Sequence, residues 1–177
     1  MSESFKLAGP LSDRDSWTAA KWCSMERALD LIGTRSAMTL LREAFYGATR
    51  FDDLVRRAGV TPAVGSQRLR RMVDNGLLAR EPYQEPGQRT RYAYTITRLG
   101  LEIFPIITAL AHLGDRLPGE PEKMVLLSHA GCGEPITTEV HCARGHVVKP
   151  SDTVVSVVDD AHGADAKPPR DQEFQGS

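Results

Sequence analysis

The stretch Ser66-Gln67-Arg68-Leu69-Arg70-Arg71 decides the fold, because helix-start and helix-stop signals lie on either side of it. Thr61 is suited to accept a hydrogen bond from a free backbone N–H, and Pro62 suits the first helical position. Gly76 stands where a left-handed cap is expected. These signals predict one short helix with an apolar stripe of Leu69, Met72 and Val73 that faces the core.

The opposite face of this helix is cationic and carries almost no acid. An arginine can hold guanine O6 and N7 as a fork, and a glutamine can do the same for adenine N6 and N7. Either can instead hold phosphates, and a solvated charged face is the alternative interpretation. The residues predicted to contact DNA here and on neighbouring elements are Arg50, Thr61, Ser66, Gln67, Arg68, Arg70, Arg71, Arg89 and Arg91.

The segments on either side favour the DNA interpretation. A helical pattern over 39–46 ends at Gly47, and a second short helix begins at Phe51 and ends at Gly59, which together predict a helix-turn-helix. Residues 76–80 and 91–97 read as two strands, and Pro82, Pro86 and Gly87 break the chain between them. We therefore predict a mainly α fold with a small β-hairpin wing, a winged helix-turn-helix, with Arg89 and Arg91 near the wing tip.

In order and in residues, these segments resemble the HxlR family of bacterial winged helix-turn-helix regulators. The resemblance covers about residues 20 to 115 and implies a dimeric DNA-binding repressor or activator that responds to an electrophile, an oxidant or a small molecule. Two residues depart from the family pattern, Gly65 in place of a buried Leu and Ser24 in place of Pro. The matching segments are 23–29 (CSMERAL), 31–33 (LIG), 40–43 (LLRE), 50–54 (RFDDL), 66–70 (SQRLR), 75–80 (NGLLAR) and 94–100 (YTITRLG).

Charge is distributed unevenly along the 177 residues, although the net charge is only −1. Residues 35–98 hold twelve arginines, no lysine and six acids, a net charge of +6. Residues 117–177 hold five basic and ten acidic residues, a net charge of −5. The cationic part is the predicted winged helix, so we expect DNA affinity that falls steeply with salt.

Two further helices are candidates for a dimer interface. An apolar stripe recurs at helical spacing from Arg98 to about Gly114, and Pro105 is expected to bend that helix. The family resemblance favours a homodimer in which this helix and the helix over 24–32 pack against their copies. Such a dimer would place two recognition helices about 34 Å apart on an inverted-repeat operator. The stripe consists of Leu99, Ile103, Ile106, Ile107, Leu110 and Leu113.

Cysteine and histidine residues suggest two further sites. Cys23 precedes the first helix, where free N–H groups favour a thiolate, and in the HxlR family a cysteine here serves some members as a redox or electrophile sensor. The alternative is a small buried hydrophobe. His129, Cys132, Cys142 and His146 have spacings that could supply a tetrahedral zinc site, although a degenerate zinc ribbon that folds without metal is the preferred interpretation. A Cys132–Cys142 disulfide is a weaker option.

Composition bounds the remaining expectations. We expect a winged-helix DNA-binding and dimerisation domain over 16–117, a small β-rich zinc-ribbon-like appendage over 124–158, and disorder over 1–15 and 159–177. No apolar run is long enough to span a membrane and no signal peptide is evident, so a cytoplasmic protein is expected. Neither G-x-S-x-G nor H-E-x-x-H occurs, which argues against an enzyme and leaves no required cofactor. The competing functions are a protein-interaction adaptor that does not bind DNA and, less favoured, a zinc or thiol protein.

Overall fold

The computed structural model describes residues 4–16, 23–84, 87, 90–119 and 125–157. The chain divides into two units, one of residues 21–138 and one of residues 1–20 with 139–177. Within the described ranges, no helix is both long and apolar enough to cross a membrane. The helices and strands, in chain order, are β1 (Lys6–Leu7), α1 (Ser24–Ile32), α2 (Arg35–Phe45), α3 (Phe51–Ala58), α4 (Pro62–Asp74), β2 (Leu78–Tyr83), β3 (Arg91–Ile96), α5 (Arg98–Leu101), α6 (Phe104–Arg116) and β4 (Val154–Val155).

The start of α4 confirms the prediction made from Thr61 and Pro62. The Thr61 side chain accepts a hydrogen bond from the backbone N–H of Val64 at 3.3 Å, and Pro62 occupies the first turn. Gly76 has a φ of +75°, the left-handed conformation that follows a helix end, and its N–H donates to the carbonyl of Val73. Local capping chemistry therefore sets both ends of this helix.

The core of residues 21–138 lies among α2, α3, α4 and the first residues of the wing. Leu69 and Met72 of α4 are fully buried and Val73 is half-buried, as the apolar stripe predicts. α2 begins earlier than the helical pattern over 39–46 indicates, because Thr34 caps it by accepting a hydrogen bond from the N–H of Ala37 at 3.2 Å. The largest fully buried side chains are Leu40, Leu41, Leu54, Leu69, Met72, Leu78 and Thr108.

The wing is longer than the sequence predicts. Pro82, expected to break the chain, lies inside β2 and is paired in register with Tyr92 of the antiparallel β3. Proline is tolerated there because the two-stranded sheet leaves an edge on which no N–H is needed. The segment before α3 adds a short third element, since Arg50 forms a bridge with Ala93 and Tyr94 donates to the carbonyl of Thr49 at 2.8 Å.

The predicted last helix is divided into α5 and α6, with Pro105 in the first turn of α6. Its apolar stripe also divides. Ile103 is buried and Ile107 is half-buried against the core, whereas the other members of the stripe face outward. The outward members are Leu99, Ile106, Leu110 and Leu113.

In the other unit, β1 pairs in parallel with β4, Lys6 opposite Val154 and Leu7 opposite Val155. Disorder is expected over 1–15, and the described residues 4–16 contain β1 and two 3-10 helices, Gly9–Ser12 and Arg14–Ser16. The β appendage expected over 124–158 spans both units, and between 125 and 149 the described backbone forms loops with isolated bridges. The expected disordered tail, 159–177, lies outside the described residues.

Gly65 of α4 lies close to Val55 of α3. A Cβ added at Gly65 would lie 2.4 Å from Cγ2 of Val55, a β-branched side chain with little freedom to move. We expect Gly65→Ala to destabilise the fold by a net ~1 kcal/mol, because overpacking costs roughly 1–3 kcal/mol and the gain in helix propensity returns only about 1. Urea unfolding measures this free energy.

The matched control is Gly114→Ala in α6, where an added Cβ would meet nothing within 4 Å. This variant should gain up to about 1 kcal/mol, because only the propensity term applies. Two variants with free energies of unfolding shifted in the same direction would contradict the close-approach explanation.

Candidate nucleic-acid interface

The exposed face of α4 presents Ser66, Gln67 and Arg70 side by side. All three side chains are exposed and line one shallow concavity on the helix surface, together with Ala63 and Arg71. None of these residues is acidic, and the buried stripe on the opposite face holds the helix against the core. A hydroxyl, an amide and a guanidinium group are therefore exposed on one face of a helix that its other face holds in place, an arrangement suited to a DNA groove.

Arg71 has a contact that its place in the sequence does not reveal. Its Nη2 donates to the backbone carbonyl of Asp30 at 2.8 Å, near the C-terminal end of α1. The side chain therefore joins α4 to α1 across a separation of 41 residues. Arg71, one of the residues predicted to contact DNA, therefore also has a structural role, whereas the Arg70 side chain makes no hydrogen bond or ion pair with the described residues.

Two other residues predicted to contact DNA, Thr61 and Arg68, have side chains that the protein itself partly engages or buries. The Thr61 hydroxyl oxygen is used as the cap of α4. Arg68 is half-buried, unlike its neighbours, and its Nε is buried without a hydrogen-bond partner within the described part of the chain. The role of both residues at DNA stays a prediction.

The wing contributes a second cationic group of side chains. The guanidinium of Arg50 lies 3.4 Å from the centroid of the Tyr83 ring, and that of Arg80 lies 3.4 Å from the centroid of Tyr92. Such stacking fixes the direction of a long side chain and lowers the entropy lost when it binds an anion. Arg80 is absent from the predicted set, because its ring partner Tyr92 lies on the other strand and only the strand register brings the two side chains together.

Arg91 lies at the first position of β3 and is tied to α3. Its Nη1 is 3.6 Å from Oδ2 of Asp52, and both side chains are largely exposed, so the pair contributes little to stability. Arg89 lies outside the described residues. A cleft lined by Ser66, Arg80 and Arg91 joins the wing to the exposed face of α4, so the helix and the wing form one continuous surface.

Cys23 is the N-cap residue of α1 and is half-buried. Its side chain makes no capping hydrogen bond, although the backbone carbonyl accepts from the N–H of Arg27 at 3.1 Å. The opposite end of α1 is the end that Arg71 holds. A chemical change at Cys23 would therefore act on a helix that is bonded directly to α4.

The four candidate zinc ligands lie in two units, His129 and Cys132 in one and Cys142 and His146 in the other. His129 Nδ1 lies 3.2 Å from Cys132 Sγ, an exposed pair. In the described part of the chain, no group of three or more His, Cys, Asp or Glu side chains is arranged to hold a metal. The zinc site and the Cys132–Cys142 disulfide therefore stay predictions, and all three cysteines are free thiols.

Backbone hydrogen bonds hold the pKa of the Cys142 thiol below its ordinary value, chiefly those from Arg144 and His146. A lowered pKa means that the thiolate is present at lower pH than in an ordinary cysteine, and the thiolate is the nucleophile. We expect iodoacetamide to alkylate Cys142 with a pH midpoint lower than that of the same residue in the urea-unfolded chain, as followed by peptide mass spectrometry. Equal midpoints in the two states would contradict these hydrogen bonds.

Comparison with known proteins identifies the family. The model of the HxlR-like helix-turn-helix family matches residues 31–121. An uncharacterized HTH-type transcriptional regulator of Mycobacterium tuberculosis is 38% identical over 122 residues, which cover 68% of this chain and 76% of the relative. One from Synechocystis is 31% identical over 111 residues, 62% of this chain and 81% of the relative. These relatives are named as regulators, which points to a non-enzymatic role.

Solved structures agree on the fold. The crystal structure of PA1607 has a TM-score of 0.67 and 29% identity, over 77% of this chain and 95% of that one. The redox regulator HypR in its oxidized form shares the fold alone, with a TM-score of 0.50 and 24% identity over 55% of this chain and 100% of that one. The winged helix, the predicted motifs and the matching family model lead to one assignment: the chain belongs to the HxlR family of winged helix-turn-helix transcriptional regulators.

Proposed function

We propose that the protein binds double-stranded DNA as a homodimer and regulates transcription at an inverted-repeat operator in the cytoplasm. The observation that carries the proposal is the exposed concavity of α4 with Ser66, Gln67 and Arg70, which holds no acidic residue and is continuous with the wing arginines. In the major groove, Gln67 and Arg70 would read base edges. Arg50 and Arg80, stacked on tyrosines, would hold phosphates on either side.

The dimer is supported by apolar side chains that the described part of this chain leaves uncovered. Ile106 and Leu113 lie seven residues apart on α6 and are 41% and 56% exposed, and Leu99 of α5 is 47% exposed. Met25 and Leu29 of α1 are also exposed, at 66% and 51%. Apolar residues at this spacing are typical of a helix seam, and a second copy would cover them. We call these five residues the seam surface.

Fluorescence anisotropy with labelled duplex DNA from upstream of the protein's own gene tests the function, against a scrambled duplex of equal length at low and physiological salt. Tight, sequence-dependent binding at physiological salt is the expected result. Equal, salt-sensitive binding to both duplexes would show only nonspecific phosphate contacts. No binding to either duplex would favour the adaptor function.

Regulation by a thiol at Cys23 belongs to the same proposal. Its support is the position of Cys23 at one end of α1, whose other end is bonded to Arg71 of α4. Oxidation by hydrogen peroxide, with two Cys23 thiols of a dimer joined as a disulfide and the peroxide reduced to water, is expected to change operator affinity. Cys23→Ser should abolish that response, and an unchanged response in this variant would remove Cys23 as the sensor.

A further inference from the structure

A groove of about 400 Å³ lies between α2, α6 and residues 125–127, all within the unit of residues 21–138. Its volume is in the range of small-molecule sites. It is away from the exposed face of α4, and no residue lines both. Most of its wall is apolar, with one aromatic ring, and includes Met38, Tyr46, Ile107, Leu110, Ala111 and Leu127.

Arg42 on the groove wall is held in a fixed orientation. Its Nε and Nη2 donate to Oε1 of the buried Glu43 at 3.0 and 2.7 Å, and its guanidinium carbon lies 6.0 Å from the centroid of the Tyr46 ring. Among the described residues, its Nη1 has no hydrogen-bond partner. The ion pair therefore positions Nη1 of Arg42 as a donor to whatever fills the groove.

The charges that line the groove favour an anion. Two guanidinium groups, Arg35 and Arg42, line it with a single carboxylate, Asp115. Within the described part of the chain, Arg35 makes no ion pair. Glu43 lies behind Arg42 and is 6% exposed, so it orients the arginine without facing the groove. An occupant that matches these features has a flat apolar body and one carboxylate at its edge.

We propose that this groove binds a small aromatic carboxylate, with the ring between Tyr46 and the apolar residues of α6 and the carboxylate on Nη1 of Arg42. The apolar wall supplies area that is removed from water on binding, and the arginine supplies one charge-assisted hydrogen bond that selects the acid over an uncharged analogue. The proposal concerns binding only and does not depend on the DNA-binding function.

Isothermal titration calorimetry of the full chain with 2-naphthoate tests the proposal, with 2-naphthamide as an uncharged probe of the same shape. We expect one 2-naphthoate per chain, bound at least tenfold more tightly than the amide. Ala111→Trp, which fills the groove, should abolish binding of both probes. Arg27→Met, which removes an exposed arginine on α1, is the matched control and should leave both affinities unchanged.

A second variant tests the arginine separately. Arg42→Met alone would leave buried Glu43 without its cation and would weaken the fold, so it is combined with Glu43→Gln. In this double variant the amide should still bind, and 2-naphthoate and 2-naphthamide should have about equal affinities. Circular dichroism and the thermal midpoint confirm that each variant is folded.

Three results would overturn the proposal. The first is wild-type protein that binds neither probe, and the second is equal affinity for the acid and the amide. The third is an Ala111→Trp variant that keeps 2-naphthoate binding. If the wild type binds neither probe and Ala111→Trp also converts the dimer to a monomer in light scattering, the occupant of the groove is a second copy of the chain.

Discussion

Replacement of both Gln67 and Arg70 by alanine is expected to weaken operator binding by about 30-fold or more, because each base-edge contact contributes on the order of 1–3 kcal/mol of discrimination. Both side chains are exposed, and within the described part of the chain neither makes a hydrogen bond or an ion pair, so the fold should be unaffected. Fluorescence anisotropy against operator and scrambled duplexes measures the loss, which should be larger for the operator.

The control for this experiment is Arg116→Ala at the end of α6, which removes one exposed arginine far along the chain from α4. Its operator affinity should change little. Operator affinity that survives the loss of Gln67 and Arg70 would count against α4 as the reading helix. Arg71 is left unchanged in the design, because its loss would also remove the hydrogen bond to Asp30.

The seam surface carries the second large effect. Ile106→Arg combined with Leu113→Arg should convert the dimer to a monomer, because two charges would be buried in the seam without partners. Operator affinity should then fall by about 10²–10⁴-fold, the avidity that linkage of two half-sites supplies. Light scattering after size exclusion gives the mass, and anisotropy gives the affinity.

Leu126→Arg is the matched control, because Leu126 is 71% exposed and lies outside the seam surface. It should remain dimeric and bind the operator normally. If the Ile106 and Leu113 double variant also stayed dimeric, the dimer would use another surface, whereas a monomer with full operator affinity would show that one winged helix suffices.

Local signals account for the parts of the fold that the sequence predicts. Thr61, Pro62 and Gly76 act within one or two turns of the chain, so the ends of α4 can be read without tertiary information. Thr34 caps the start of α2 in the same way, but the helical pattern over 39–46 does not indicate that the helix begins as early as Arg35. Pro82 is expected to break the chain, but whether a proline ends a strand depends on whether that strand has neighbours on both sides, which the sequence does not show.

Features that depend on distant pairing could not be predicted. The pairing of β1 with β4 joins opposite ends of the chain, and two short segments of two residues carry no periodicity that would reveal it. The division of the last apolar stripe depends on which side of α6 meets the core. At the candidate site, the sequence predicts the exposed residues of α4 but not the stacking of Arg80 on Tyr92, which needs the strand register.

The hydrogen bond from Arg71 to Asp30 has a consequence for anyone who wishes to redirect the protein to a new promoter. In the proposed DNA complex Ser66, Gln67 and Arg70 face the bases, so these are the positions to randomise for altered specificity. A library that also varied Arg71 would mix changes in base preference with changes in the attachment of α1. With Arg71 held fixed, the selected variants would differ in base preference and would keep the same attachment of α1 to α4.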